Sequence, residues 1–170
     1  EMRPISARHG VGYAIVRGQR YTHLMPGEDR MRPAAPAVDT RLTYDDFLLF
    51  PDDGKRHELI DGVHYVTPSP RLRHQDLVGR LHGAIFVYLL EHPEAGRLFL
   101  APLDVVLSHY DVVEPDLLFI AGDQAGIMTE KNIQGAPALV VEVMSKSTRK
   151  RDAQIKRRLF EQVGVREYWL

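Results

Sequence analysis

Pro115-Asp116-Leu117-Leu118-Phe119-Ile120 and Leu139-Val140-Val141-Glu142-Val143-Met144 are the two stretches that decide the fold. Each is a run of aliphatic residues of strand type, and each carries one carboxylate. An unpaired carboxylate in such a setting loses several kcal/mol of hydration or shifts its pKa and neutralises. Two of them in neighbouring strands make sense if positive charge lies between them. A hard divalent cation, which prefers oxygen ligands, is one candidate. The other is that each acid is salt-bridged to one of the chain's many arginines. Alternation sets Glu142 on the face of Val140 and Met144.

Outward from these strands, the pattern reads as helix, three strands, helix, strand. A helix is expected over 73–91, with Leu77, Leu81, Ala84, Ile85, Tyr88 and Leu89 on one face, ended by Pro93 and Gly96. Strands are expected at 97–108, 112–120 and 137–145, with Glu142 in the middle of the third. A polar loop at 122–135, with a helical turn near 128–132, separates the second from the third. Ser147 or Thr148 caps a helix that runs to about Val163 and ends at Gly164, and a last strand begins at Val165. That second helix allows the third and fourth strands to run parallel through a crossover. Upstream, Thr43 is an N-cap for a short helix over 44–50, ended by Pro51. Arg56–Ile60 and Val63–Thr67 form a hairpin about Asp61-Gly62, a dipeptide suited to positive φ. The fold class is therefore α/β (α+β by some schemes), a mixed central sheet flanked by helices and preceded by a short helix and a β-hairpin.

Residues 1–38 are rich in Arg, Gly, Pro and His, and 31–37 has a Pro/Ala linker composition. They are expected to be a disordered or non-native extension, with Met31 as a candidate start; the alternative is an ordered arm with its own role. The folded domain is expected over 39–170 and is expected to be cut short at its C-terminus, since the chain closes on Tyr168-Trp169-Leu170 in mid-strand.

Composition narrows the chemistry. The 170 residues include no cysteine, which removes disulfides, thiolate catalysis and Cys-based zinc sites, and suits a cytoplasmic location. No apolar run reaches the roughly 18 residues of a membrane span. The formal net charge is −1, so any attraction for nucleic acid is local. A local source exists: Lys146, Arg149, Lys150, Arg151, Lys156, Arg157 and Arg158 surround a single acid, Asp152. That run is either a solvated helix face or a contact for a phosphate backbone. Lys156 could reach the two carboxylates from the helix, or pair with Asp152 at i and i+4. Glu58 could extend the acidic cluster or lie on a solvated strand face. His74 opens the long helix and could face the site, whereas His57, His64 and His82 read as structural. No Gly-rich phosphate loop and no Gly-x-Ser-x-Gly elbow occurs, which argues against P-loop enzymes and serine hydrolases.

Taken in order, Glu58-Leu59-Ile60-Asp61-Gly62, Ser69-Pro70, His74-Gln75, Pro115-Asp116, Gly135-Ala136-Pro137-Ala138-Leu139-Val140-Val141-Glu142-Val143, Ser145, Ser147-Thr148-Arg149, Asp152, Lys156 and Gly164-Val165-Arg166-Glu167-Tyr168-Trp169 resemble the Uma-type family of restriction-endonuclease-like proteins, a branch of the PD-(D/E)XK nuclease superfamily. The resemblance spans about residues 41–170. It implies the restriction-endonuclease-like fold and a Mg²⁺- or Mn²⁺-dependent endonuclease acting on DNA, with RNA as the alternative polymer. It implies that Asp116 and Glu142 bind the metal, that Glu58 is a further acidic site residue, and that Lys156 replaces the lysine the motif places at position 144. There the chain has Met144, and Phe160 stands where the family often shows tyrosine. Arg149, Lys150, Arg151 and Arg157 are the expected DNA contacts, and His74 and Asp152 accompany the site. Such nucleases often act as dimers, so a homodimer is among the expectations. The competing expectation, prompted by Met144, is a nuclease fold that no longer cuts and serves as a DNA- or protein-binding module.

Overall fold

A computed structural model describes residues 40–145 and 148–170. The extension expected at 1–38, together with Lys146 and Ser147, lies outside the described residues. Helix α1 (Tyr44–Phe47) is one turn long, and Thr43 and Asp46 form a reciprocal capping box at its start. It stops at Phe47, earlier than the expected Phe50. Strands β1 (Arg56–Ile60) and β2 (Val63–Thr67) pair antiparallel about Asp61 and Gly62, both at positive φ (50° and 69°). Helix α2 (Leu72–Glu91) follows.

The two long strands expected at 97–108 and 112–120 are each divided. The first becomes β3 (Gly96–Leu100) and β4 (Val105–Ser108), interrupted at Pro102. The second becomes β5 (Asp111–Val113) and β6 (Leu117–Ala121), interrupted at Glu114-Pro115-Asp116. Proline has no N–H to donate to a ladder, so each break falls where pairing must stop. The two breaks lie side by side, since the Ala101 N–H donates to the Asp116 carbonyl (3.2 Å). At both, the chain passes from one sheet to another. The loop after β6 starts with a 3-10 turn at Gly122–Ile127, so the helical turn expected at 128–132 lies earlier, and 133–134 forms β7 (Ile133–Gln134). Strand β8 is short (Leu139–Val141), which puts Glu142 just past its end and not in its middle. After it, a π-helical turn (Arg151–Lys156) leads into α3 (Arg157–Val163), Gly164 ends α3 at φ 83°, and β9 (Glu167–Trp169) closes the fold.

The strands make a five-stranded sheet, β2-β1-β5-β4-β7, and a four-stranded sheet, β3-β6-β8-β9. The second contains the helix–three strands–helix–strand unit read from sequence, with β8 and β9 parallel as the crossover allows. The principal core includes Ile60, Val105, Val113, Leu118, Val140 and Phe160, so it joins the two sheets to α3. On the other face of the four-stranded sheet, Leu117, Leu139 and Val141 meet Leu81 and Ile85 of α2. Helix α2 buries only Val78 and Leu89 outright, while Leu77, Ala84 and Tyr88, expected on the inner face, are exposed. Helix α1 covers Leu59 and Val112 through Phe47. No helix among the described residues is long and apolar enough to cross a membrane.

Candidate active site

Strands β6 and β8 run antiparallel with Leu117 opposite Val141 and Leu118 opposite Val140. One step further along this register brings Asp116 opposite Glu142. By alternation both share the face of Leu118 and Val140, which looks toward the π-turn and α3. Glu142 continues the ladder, its N–H donating to the Trp169 carbonyl (3.0 Å). Asp116 is held firmly. Arg56 Nη1 donates to its Oδ1 (2.7 Å), the Val143 N–H donates to Oδ2 (2.8 Å), and His74 Nε2 lies 2.9 Å from Oδ2.

The lysine comes from the π-turn. Lys156 Nζ contacts Glu142 Oε1 at 2.5 Å and Glu58 Oε1 at 2.6 Å, and does not pair with Asp152. Exposure is 1% for Lys156 and Glu58, 4% for Asp116 and Glu142, and 2% for Asp152, so these charges sit in the interior and not on its rim. The wider π-turn brings residues five apart together. Accordingly Arg151 and Lys156 approach the two oxygens of Glu58, Arg151 Nη1 at 3.5 Å from Oε2. The Glu114 N–H also donates to Glu58 Oε1 (3.0 Å). The expected Asp152–Lys156 pair fails because the turn is not α-helical. Asp152 Oδ1 lies 3.6 Å from Arg151 Nε, and both atoms are buried without a hydrogen bond.

These environments set the two glutamates apart. Burial pushes Glu142 up to about 8, Lys156 works against that rise, and the Glu58 and Asp116 charges add to it. Burial also opposes ionisation of Glu58, but Lys156 and Arg151 outweigh it and hold its pKa low. Burial disfavours the Lys156 ammonium too, yet the two carboxylates keep it protonated above its usual range.

A cleft of about 620 Å³ opens over this cluster, lined by Arg56, Thr67–Arg71, Arg73, His74, Glu142–Ser145, Thr148, Arg151 and Asp152. His74 thus faces the site. Of the expected DNA contacts, Arg151 lines the cleft but is turned inward, its Nη2 donating to Thr67 Oγ1 (2.8 Å). Arg149, Lys150 and Arg157 are exposed and lie off the cleft lining. Sequence reasoning missed Arg56, although its signal was available. Arg56 and Glu58 are two apart on one strand and so share a face. Phe160, where a hydroxyl was expected by resemblance, is packed in the core edge-on to Tyr168, and Tyr168 itself donates its hydroxyl to the Asp152 carbonyl (3.0 Å).

Among the described residues, no three His, Asp or Glu side chains are grouped to hold a metal ion by themselves. Magnesium, however, is commonly held by one or two carboxylates and completes its shell with water and substrate phosphate. Asp116 and Glu142 offer that donor set. Glu142 holds its proton more tightly first because it is buried, with the Glu58 and Asp116 charges adding to the rise and Lys156 opposing it. The residues therefore fit a small divalent cation that shares its shell with a substrate.

A family model described as "Uma2: Putative restriction endonuclease" matches residues 44–170. No curated protein matches the chain. Among solved structures, the crystal structure of a putative nuclease belonging to DUF820 from Anabaena variabilis ATCC 29413 is similar at a TM-score of 0.63 and 18% identity, covering 75% of this chain and 73% of that one. At this identity the likeness speaks for the fold.

Proposed function

The chain belongs to the Uma2 family of restriction-endonuclease type, and from that premise we propose that it is a divalent-metal-dependent endonuclease that hydrolyses DNA phosphodiester bonds. The observation that carries this reading is the juxtaposition of Asp116 and Glu142, one step beyond the paired ends of the antiparallel β6 and β8, with the Lys156 ammonium 2.5 Å from Glu142, under an open cleft. Asp116 and Glu142 would hold Mg²⁺ or Mn²⁺. When bound, that ion polarises the scissile phosphate and lowers the pKa of a water. Lys156 orients the attacking water and stabilises charge developing on the phosphate. Glu58, with Arg151, fixes the Lys156 side chain, and His74 fixes the Asp116 carboxylate. In-line attack leaves a 5′-phosphate. Asp152 anchors the π-turn through its carbonyl bond to Tyr168, and the exposed Arg149, Lys150 and Arg157 contact phosphates on the helix side while Arg151 braces Thr67. A DNA substrate and a chain without cysteine suit the cytoplasm.

Plasmid nicking in Mg²⁺ and in Mn²⁺ tests the reading. The wild-type chain is expected to relax supercoiled DNA and Asp116→Asn to lose this at least a hundredfold. Equal nicking by both proteins would remove Asp116 from the chemistry. One observation favours a second reading, a nuclease fold that binds without cutting: Asp116 already has three donors on its two oxygens. Calorimetric titration with Mn²⁺ separates the two, since a cutting site binds the ion and loses it in Glu142→Gln.

A further inference from the structure

Charge around the cleft sorts by depth. The acids that line it, Glu142 and Asp152, are buried in its floor. Among the described residues, the charged residues exposed on its rim are Arg71 and Arg73, and neither has an ion pair or hydrogen-bonding side-chain partner there. Both sit at the start of α2, where the peptide dipoles are positive and aspartate or glutamate is the stabilising choice. Yet the first turn carries no acid, the N-cap is Arg71, and no side chain caps the helix. The first backbone N–H groups of a helix have no intrahelical acceptor, so they add to the positive end. Two arginines here oppose the helix dipole.

The wall itself is built. Pro68 and Pro70 fix the backbone on its approach, and Arg151 from the opposite side fastens Thr67 at its base.

We propose that Arg71 and Arg73, at the start of α2, form a track for the phosphodiester backbone of the DNA substrate, on the wall opposite Thr148 and Arg151. This rests on the nuclease reading and adds where the polymer lies: phosphates flanking the scissile one pass over α2 while the scissile one sits above Glu142.

The test is fluorescence anisotropy of a labelled DNA duplex with the full chain, without divalent cations, over a salt series. Each lost phosphate contact lowers the slope of log K against log salt by about 0.9. Arg71→Gln/Arg73→Gln is therefore expected to lower it by about 1.8 and to weaken low-salt binding at least tenfold. Lys131→Gln, at a separate site beside Tyr44 and Asn132, is expected to bind as wild type. Arg71→Lys/Arg73→Lys, which keeps the charge, is expected to retain most of the slope. A Gln/Gln variant that binds like wild type, while wild type nicks plasmid, overturns this inference alone. A Lys/Lys variant as weak as Gln/Gln also overturns it. A wild-type chain that neither binds nor nicks DNA overturns it together with the nuclease reading.

Discussion

Replacing Lys156 with methionine removes one ammonium from between two buried carboxylates, and the cost follows from what each carboxylate retains. Glu58 keeps the Glu114 N–H at 3.0 Å and Arg151 at 3.5 Å. Glu142 keeps no other ion-pair partner among the described residues. Removing one member of a buried pair costs about 3–5 kcal/mol. Glu142 can escape much of that by holding its proton, since its pKa is already raised from 4.5 to about 8 with Lys156 present. At pH 7 the expected loss is thus at the low end, about 3 kcal/mol, which is a large part of a typical 5–15 kcal/mol. The sign of the pH effect follows from the raised pKa. A carboxyl whose folded pKa exceeds its unfolded one contributes stability that is fully present below 4.5 and lost as pH rises to the folded value. In wild type this fall ends near pH 8; in Lys156→Met the folded pKa is higher and the fall continues. The loss should therefore be constant from pH 6 to 8 and grow above pH 8 by up to about 1.4 kcal/mol per unit. Urea unfolding followed by far-UV circular dichroism at pH 6, 7 and 9 measures it. Adding Glu142→Gln should remove the excess seen at pH 9 and change little at pH 7. A loss below about 1 kcal/mol, or one that stays flat to pH 9, refutes the placement of Lys156 between the two acids.

Two further outcomes are expected. Burial, with Asp104 and Glu58, raises Glu114 from 4.5 to about 7, so its stabilising contribution is lost as pH rises through that window. Glu114→Gln lacks this loss; relative to wild type it should gain about 2 kcal/mol between pH 5 and 8 after allowance for solvent screening, as read by urea unfolding. Gly96 sits at φ 148°, and a Cβ there would lie 2.1 Å from the Ile120 carbonyl oxygen. Gly96→Ala should cost about 3 kcal/mol or more and lower the melting temperature by roughly 10 °C, whereas a shift under a few degrees contradicts the close β3–β6 approach.

Features set by neighbours in sequence were legible. The Asp61-Gly62 hairpin, the Thr43 cap and the Gly164 helix end each depend on a few residues whose backbone preferences are local. The divided strands were not. Arg97–Ser108 and Val112–Ile120 are rich in aliphatic residues on both sides of their prolines, and composition does not tell a strand that continues from one that crosses between sheets. Pro102 and Pro115 mark the crossings, but proline is also tolerated at strand edges, so its meaning depended on partners distant in sequence. The inward turn of Arg151 was hidden for a related reason. It follows from the π-turn, which rotates Arg151–Lys156 away from the α-helical spacing used to sort an inner from an outer face.

The charges beneath the cleft argue against a purely structural role. Replacing a buried ion pair by apolar residues of similar volume is often neutral or stabilising, so such a network is weak evidence of stability. This one is also unbalanced. Glu58, Asp116, Glu142 and Asp152 are four carboxylates, faced by three cations, Arg56, Arg151 and Lys156, with the His74 ring beside Asp116. Leaving His74 aside, the carboxylates outnumber these cations by one; burial is the first cause of the rise of Glu142 to about 8, and the Glu58 and Asp116 charges add to it. A phosphodiester entering from the basic rim adds one more negative charge. A divalent cation is the smallest single species that neutralises both, whereas a proton on Glu142 neutralises only the first. A network kept short of positive charge until substrate arrives fits a site that takes metal and phosphate together better than one built to hold strands in place.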